Sequence, residues 1–263
     1  MRRIVVRCGV AALLACISVR NVAASEGSFF AAQINYWANS LDGEGRTVGD
    51  TLGAGTPFDL EDTLGIVEDD KLPAADLWFN FGRSSFLLSY YDATHSGASV
   101  LEADLVFGDT LFPSGAAVDS EFGMSLAKLQ YNFRFIDDDV VGFGLLVGAD
   151  LLEAEGRVAG SASSAVAGTE FSDPIPVLGL NLTIRIPDTG LTLYFEGSGM
   201  SASLIDVGGS ALDAQARLTW YLLEGPFGLS AGYRYVQADA DLEDEGSLDV
   251  EQAGYYAGIA VRF

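Results

Sequence analysis

The feature that most limits the fold of this chain is a regular alternation of apolar and polar residues. Near the start, Phe30, Ala32, Ile34 and Tyr36 alternate with Ala31, Gln33, Asn35 and Trp37. The same pattern recurs at residues 77–81, 129–135, 141–147, 178–186, 191–195, 212–222, 227–235 and 255–263. A period of two is that of a β-strand with one apolar face, and no helical periodicity competes with it. The chain is therefore predicted to be all-β.

The connections between these segments alternate between short and long. Short polar or Gly/Pro turns lie at 82–84, 137–139, 187–190 and 224–226, and longer excursions lie at about 39–72, 96–119, 160–170, 205–209 and 244–247. This spacing is typical of an up-and-down transmembrane antiparallel β-barrel. It predicts about ten strands, with eight or twelve as alternatives. Residues 99–107 also read as a strand and are interpreted as an extension of the neighbouring hairpin, because an eleventh strand would break the even number.

An alternating chain could instead form a water-soluble β-sandwich. Several segments, however, reach the 9 to 11 residues that a tilted strand needs to cross a bilayer. Aromatic residues also gather near the ends of the apolar faces, as in the girdles of membrane barrels. No run of 18 apolar residues is present, so the sequence predicts membrane crossing by strands and not by a helix. The apolar parity is expected to face lipid.

The first 24 residues are predicted to be a secretory signal peptide. Arg2, Arg3 and Arg7 precede an apolar stretch, and small residues favour cleavage after Ala24. A lipoprotein site at Cys16 is the alternative. Because the chain's two cysteines both lie in this segment, cleavage after Ala24 leaves no disulfide and no cysteine-bound metal. Residues 25–263 then form the barrel.

The final nine residues carry the first resemblance to a known family. The run from Tyr255 to Phe263 resembles the assembly signal of Gram-negative outer-membrane β-barrels, through Tyr255, Ile259, Val261 and the terminal Phe263. This resemblance implies a bacterial outer-membrane location and delivery to the barrel-assembly machinery. Residues 55–65, Gly-Thr-Pro-Phe-Asp-Leu-Glu-Asp-Thr-Leu-Gly, are similar to the first loop of a group of uncharacterised outer-membrane barrels. That likeness implies no activity.

If the apolar parity faces lipid, the opposite parity faces the lumen. The charged residues predicted there are Asp76, Lys128, Arg134, Asp150, Arg185, Glu196, Asp213, Arg217, Arg234 and Arg262. An ion-paired filling is favoured over a narrow channel, because a ten-stranded barrel leaves little room. Phe122 to Leu126 are apolar at even positions whereas Leu129 to Phe135 are apolar at odd positions, which predicts a β-bulge near Ala127. The faces of 85–91 stay unassigned.

Acidic residues dominate the net charge of −23, which argues against a nucleic-acid partner. Many lie in the first loop and the last hairpin: Asp42, Glu44, Asp50, Asp59, Glu61, Asp62, Glu68, Asp69, Asp70, Asp239, Asp241, Glu243, Asp244, Glu245, Asp249 and Glu251. The default interpretation is a solvated surface, and divalent cations are a possible partner. Outer-membrane lipid and lipopolysaccharide are the other expected partners.

Catalysis would depend on the single histidine, His95. Outer-membrane barrel enzymes use a histidine near the outer leaflet, so Asp92, His95 and Ser96 are the weak catalytic candidates. Adjacent residues of a strand point to opposite faces, which separates His95 from Ser96. We therefore expect no enzyme, no cofactor and no metal site. The expected role is structural or surface-interacting, with a small-solute channel as the alternative and a lipid- or peptide-modifying enzyme as the least favoured reading.

Overall fold

The structure is a computed structural model that describes residues 28–66, 70–161, 165–201, 209–242 and 246–263. The predicted signal peptide, residues 1–24, lies outside these ranges. Ten long strands form the wall: β1 (Phe30–Gly49), β2 (Asp70–Phe81), β3 (Ser84–Val100), β4 (Ala117–Asp137), β5 (Val141–Gly160), β6 (Val166–Ile186), β7 (Leu191–Ser201), β8 (Gly209–Tyr221), β9 (Phe227–Leu242) and β10 (Gly246–Arg262). Within these ranges no helix has the length and hydrophobicity needed for a bilayer span.

The sheet closes on itself because the last strand pairs with the first. Strand β10 is antiparallel to β1, with a register that runs from Ala31 opposite Arg262 to Thr47 opposite Gly246. Every other wall strand pairs with its sequence neighbours. The prediction of an antiparallel barrel is therefore confirmed, with ten strands and not eight or twelve. Residues Leu105–Phe107 and Thr110–Phe112 form a separate small hairpin. Of the eleventh candidate strand, residues 99–107, only Ser99 and Val100 belong to the wall, as the end of β3.

The two ends of the barrel differ. The turn end holds the short connections at 82–83, 138–140, 187–190 and 222–226, a single-turn 3-10 helix in the last of these, and both Phe30 and Arg262. The loop end holds the longer connections. The first loop is shorter than the expected 39–72, because β1 continues to Gly49 and β2 already begins at Asp70. The long strands β4, β5 and β6 span 21, 20 and 21 residues, which exceeds what a bilayer crossing requires.

The outer surface carries the apolar parity, as predicted. Leu129, Leu178 and Ile259 are 57 %, 60 % and 59 % exposed on the outside of the wall. In β3, odd positions are buried and even positions are exposed, which settles the faces of 85–91. Charged residues such as Asp92 and Glu153 appear on the outer face only toward the loop end. The apolar band therefore covers the turn-end part of the wall.

The predicted bulge near Ala127 is wrong. The pairing of β4 with β5 is regular through this point, and its only register shift lies between Arg134 and Ile136. Phe122, Met124 and Leu126 are buried on the same inward face as Lys128. The change of apolar parity along β4 has another cause: the interior itself becomes apolar at the loop end.

Prolines end two of the ladders. In β6 the odd residues bond toward β5, since the Arg185 N–H donates to the Val140 carbonyl. Even residues such as Pro176 therefore face β7, and the β6–β7 ladder stops at Leu178 opposite Gly199. In β2, Pro73 faces β3 in the same way, and that ladder stops at Ala74. Proline has no N–H to donate, so it cannot continue a ladder.

Candidate functional site

The interior of the barrel is the candidate functional site, and it has three layers along the axis. The turn-end rim comprises Arg134, Asp137, Arg185 and Arg262. The ion-pair layer comprises Asp76, Lys128, Asp150, Glu196, Asp213, Arg217 and Arg234. The apolar chamber at the loop end comprises inward side chains of the wall, among them Phe122, Met124, Leu126, Leu152 and Val250, together with loop residues. Every lumen charge predicted from the sequence lies in the first two layers.

Lys128 is the centre of the ion-pair layer. Its Nζ atom donates to Glu196 Oε1 at 3.2 Å and to Asp213 Oδ2 at 2.8 Å. The Arg234 guanidinium donates to both carboxylate oxygens of Asp213, at 3.2 and 2.5 Å. All four side chains are at most 7 % exposed. Charges removed from water to this degree need partners, and here Glu196 and Asp213 each have at least one cation.

Aromatic side chains flank the arginines of this layer. The Arg234 guanidinium carbon lies 4.9 Å from the Tyr91 ring centroid and 5.6 Å from that of Trp37. Arg217 lies between two further rings, 4.7 Å from Trp78 and 4.6 Å from Tyr194. Such cation–π contacts stabilise a desolvated guanidinium. Tyr91, Trp78 and Tyr194 were not among the residues predicted from the sequence. For Trp78 and Tyr194 the signal was available, because they share their parity with Asp76 and Glu196 on the same strands.

Hydrogen bonds extend the layer to the neighbouring strands. Asp76 accepts from Ser89 Oγ at 2.6 Å and from Asn35 Nδ2 at 3.3 Å, and it lies 4.0 Å from Arg217. On the other side, Gln130 Nε2 donates to Asp150 at 3.0 Å. Side chains from opposite walls therefore meet across the lumen. This arrangement places paired charged and polar side chains across the lumen.

The turn-end rim is basic and more exposed. Arg134 lies 3.4 Å from Asp137 and donates to the Gly82 carbonyl at 2.6 Å. Arg185 lies 3.6 Å from the same carboxylate. Arg262 stacks 3.8 Å from the Tyr221 ring. These arginines bind turn carbonyls and rings of the wall, so their contacts hold the short turns in place.

The first loop folds inward and supplies apolar side chains to the chamber. Phe58, Leu60, Leu64 and Ile66 are all buried there. Between them, Asp59 Oδ1 accepts from the N–H groups of Glu61 and Asp62 at 2.8 and 2.7 Å, which fixes a tight turn. The motif of residues 55–65 therefore determines the local structure of the first loop. Its apolar positions point into the barrel, and its aspartate caps the turn that spaces them.

Ile66 joins the first loop to the wall. It forms an isolated bridge with Gly97 of β3, above the point where Pro73 ends the β2–β3 ladder. Ser99 Oγ donates to the Thr63 carbonyl at 2.7 Å beside this bridge. A Cβ atom on Gly97 would lie 2.0 Å from the Gly65 carbonyl oxygen, so only glycine allows this approach. The loop thus covers the gap left between β2 and β3.

The second loop, residues 101–116, packs over the first. Its Phe107 ring lies 5.2 Å from Phe58. Asp109 Oδ1 accepts from the N–H groups of Thr51 and Leu52 at 2.7 and 3.2 Å. These backbone donors hold the pKa of the Asp109 carboxyl below its usual value. The two loops therefore form one interlocked cover.

The catalytic candidates do not come together. His95 is buried on the inner face of β3 at 2 % exposure, opposite Phe122 of β4. Asp92 and Ser96 are exposed on the outer face of the same strand. No group of three or more histidine, cysteine, aspartate or glutamate side chains in the described ranges is arranged to hold a metal ion.

An acidic patch covers the outer surface where β9, β10 and β1 meet near the loop end. We define it as Asp42, Glu44, Asp239, Asp249 and Glu251. Asp42 lies directly opposite Glu251, and Glu44 opposite Asp249. Asp239 in turn lies opposite Asp249. Like charges in direct cross-strand pairs repel each other, so this patch costs folding stability unless cations lie near it.

The residues of the resembled assembly signal lie on the last wall strand, with Phe263 directly after its end. Tyr255, Ile259 and Phe263 are 75 %, 59 % and 46 % exposed on its outer face. Val261 shares their parity and lies opposite Ala32 of β1 and Phe227 of β9. The motif therefore occupies the seam where the barrel closes.

No protein-family model matches this chain, and no curated protein is significantly similar to it. Solved structures similar to it include the translocator domain of the autotransporter NalP from Neisseria meningitidis, at 12 % identity over 91 % of this chain and 90 % of that one, with a TM-score of 0.43. Ail of Yersinia pestis is 12 % identical over 89 % and 98 %, with a TM-score of 0.35. The toluene transporter TodX of Pseudomonas putida is 9 % identical over 91 % of both chains, with a TM-score of 0.37. At these scores the likenesses assign no function.

The location follows from the barrel itself. Only helices and closed barrels satisfy every backbone hydrogen bond inside a bilayer. A closed ten-stranded wall with an apolar outer band and a charged interior is the architecture of bacterial outer-membrane proteins. The chain is a β-barrel of the bacterial outer membrane.

Proposed function

We propose that this barrel is a non-catalytic outer-membrane protein that presents its loop end for contact at the cell surface. The observation that carries the proposal is the ion-pair layer. Lys128, Glu196, Asp213 and Arg234 meet across the lumen with almost no exposure. Buried, paired side chains that meet across the lumen support a structural or surface role over the alternative of a small-solute channel.

Conductance in a planar lipid bilayer tests the closed lumen. We expect no discrete conductance steps from the wild-type barrel. A variant with Lys128→Ser, Glu196→Ser, Asp213→Ser and Arg234→Ser removes both cations and both carboxylates of this cluster together, so none of the four is left as a lone charge, and it should conduct ions. Discrete steps from the wild type of the same size as those of the variant would contradict a filled lumen and favour the channel.

The acidic patch supports the surface role and suggests its chemistry. Its five carboxylates lie just above the apolar outer band, at the height of lipid headgroups. Because no three of them converge on one point in the described ranges, they act as a diffuse negative surface and not as a chelating site. Divalent cations, which prefer oxygen ligands, would relieve the repulsion and bridge the patch to the phosphates of lipopolysaccharide. A direct cationic partner would use the same charges.

Thermal unfolding in lipid vesicles tests this role of the patch. Calcium chloride should raise the melting temperature of the wild type more than sodium chloride at equal ionic strength. The increase should be lost when Asp42, Glu44, Asp249 and Glu251 are changed to their amides. A control variant, Asp92→Asn with Glu153→Gln, carries its substitutions on β3 and β5 and should keep the increase. An equal response of all three proteins would mean that the salt only screens charge.

A further inference from the structure

We propose that a cavity within the apolar chamber binds the aliphatic end of a small uncharged hydrophobic molecule. The cavity has a volume of about 70 Å³ and lies between the first loop and strands β4, β5, β6 and β10. Its principal walls are the side chains of Phe58, Leu60, Leu64, Ile66, Phe122 and Leu248. The site is separate from the ion-pair layer and from the acidic patch, so it does not depend on the function proposed above.

The chemistry of the walls points to an apolar occupant. Protein interiors are close-packed, and voids larger than a water molecule are few. A water molecule needs two to four polar partners in such a space. The hydroxyl groups at this cavity belong to Thr47, Thr169 and Ser247, and Thr47 Oγ1 already accepts from the Gly108 N–H at 2.7 Å. Hydrocarbon surface therefore dominates what an occupant would contact.

A glycine keeps the cavity open. Gly156 lies on the inner face of β5, and a Cβ atom placed there would lie 3.4 Å from Phe107 Cζ and 3.4 Å from Thr169 Cγ2. Both distances are ordinary van der Waals contacts. An alanine would therefore fit without moving its neighbours, and larger side chains would begin to fill the space. The residue at this position sets the volume available to an occupant.

Size and charge narrow the ligand class. A cavity of about 150 Å³ accepts benzene or a xenon atom. The smaller volume here suits a xenon atom or a short branched alkyl group whose remainder extends toward the opening. Arg46, Glu121 and Arg157 border the cavity, so both signs of charge are present and neither is selected. Glu121 and Arg157 are exposed on the outer face of this part of the wall, which lies above the apolar band.

Xenon is the first probe, and its binding is monitored through methyl NMR spectra of the barrel in lipid nanodiscs. Saturable shifts are expected at the methyl groups of Leu64, Ile66 and Leu248. Lipid-facing methyls such as those of Leu129 should shift in proportion to xenon pressure and report partition into the bilayer. The proposal is overturned if the chamber methyls show only this linear response.

Glycine variants show whether the cavity is the site. Gly156→Ala should weaken the saturable response, and Gly156→Val should abolish it. Gly168→Ala on β6 is the matched control, since its Cβ atom would lie 3.5 Å from the Gly156 carbonyl on the outer face. The control should respond as the wild type does. If Gly156→Val does not fold, the test rests on Gly156→Ala alone. A xenon response of Gly156→Ala equal to that of Gly168→Ala then contradicts the proposal.

Competition tests the ligand class. The neutral 3-methylbutan-1-ol should displace xenon from the chamber, whereas 3-methylbutanoate and 3-methylbutylammonium should displace it less. Displacement by either ion as strong as that by the alcohol would show that the opening does not discriminate against charge. The uncharged class would then be wrong even though the cavity binds an alkyl group.

Discussion

Lys128 and Asp213 form an ion pair of 2.8 Å between strands that are not neighbours in the wall. Lys128 lies on β4 and Asp213 on β8, so their contact crosses the lumen. The wall hydrogen bonds hold each strand only to the next one. This pair therefore braces the barrel from inside.

Removing the cation of this brace should destabilise the barrel strongly. Lys128→Met leaves Glu196 with no cation and Asp213 with Arg234 alone. Loss of one partner of a buried pair costs about 3–5 kcal/mol. The free energy of unfolding in urea, followed by tryptophan fluorescence in lipid vesicles, measures the loss.

A compensated variant separates charge from packing. Lys128→Met with Glu196→Gln removes the uncompensated carboxylate, leaves Asp213 paired with Arg234, and should recover part of the lost stability. If the single and double variants are equally unstable, the packing of the lysine stem and not its charge accounts for the loss.

Asp109→Asn should release the first loop from the second. Because the folded pKa of Asp109 lies below its unfolded value of about 3.9, the carboxylate stabilises the fold above that pH. The contribution is lost as the pH falls through the depressed folded pKa. Hydrogen-exchange protection of the Thr51 and Leu52 amides should therefore be lower in the variant at neutral pH, and the difference should disappear in acid. Glu102→Gln in the same loop should leave protection unchanged.

Gly97→Ala should unseat the first loop from the wall. The added methyl group would clash with the Gly65 carbonyl oxygen, and forced overpacking of this kind costs about 1–3 kcal/mol. Gly123→Ala on β4 is the control, because its Cβ atom would have no neighbour closer than 3.8 Å. Increased proteolysis after residue 60 in the first variant but not the second would show the release. Equal cleavage of the Gly97→Ala and Gly123→Ala variants would mean that contacts other than the approach of Gly97 to Gly65 hold the first loop to the wall.

His95→Ala should leave lipid and peptide hydrolysis assays unchanged from wild type. The side chain lies inside the chamber, and Asp92 and Ser96 lie on the opposite face of β3. The substitution should instead lower the melting temperature, because a buried side chain is lost. A hydrolytic activity present in the wild type and absent in the variant would restore the enzyme hypothesis.

The folded barrel should migrate differently from the heat-denatured chain in electrophoresis. In the turn-end part of the wall every strand is paired on both sides, so detergent finds no free edge there and an unboiled sample should run as a compact species. Identical mobility before and after boiling would argue against a closed barrel.

The wall could be predicted from the sequence because its rule is local. A period of two decides which side of each strand meets lipid, and short turns alternate with long loops. The charged positions could be predicted for the same reason: Lys128 and Asp213 have the polar parity of strands whose other face is apolar. Their pairing could not be predicted, because it depends on which strands face each other across the lumen.

The apolar chamber could not be predicted for a different reason. Phe122 and Leu126 are apolar at inward positions, and from the sequence alone this parity indicates a bulge as readily as an apolar interior. The distinction depends on the first loop, whose Leu60 and Ile66 fold back to meet them. A loop that enters its own barrel leaves no periodic signal.

Pro73 and Pro176 make the stability of the wall against local opening differ between the two ends of the barrel. Among the described residues, the wall above these prolines has two panels, β3 to β6 and β7 to β2, and no regular ladder joins them at the β2–β3 and β6–β7 borders. Local opening requires least energy where backbone hydrogen bonds are fewest. Heat or denaturant should therefore separate the two panels first at the loop end, while the part of the wall within the apolar band stays paired.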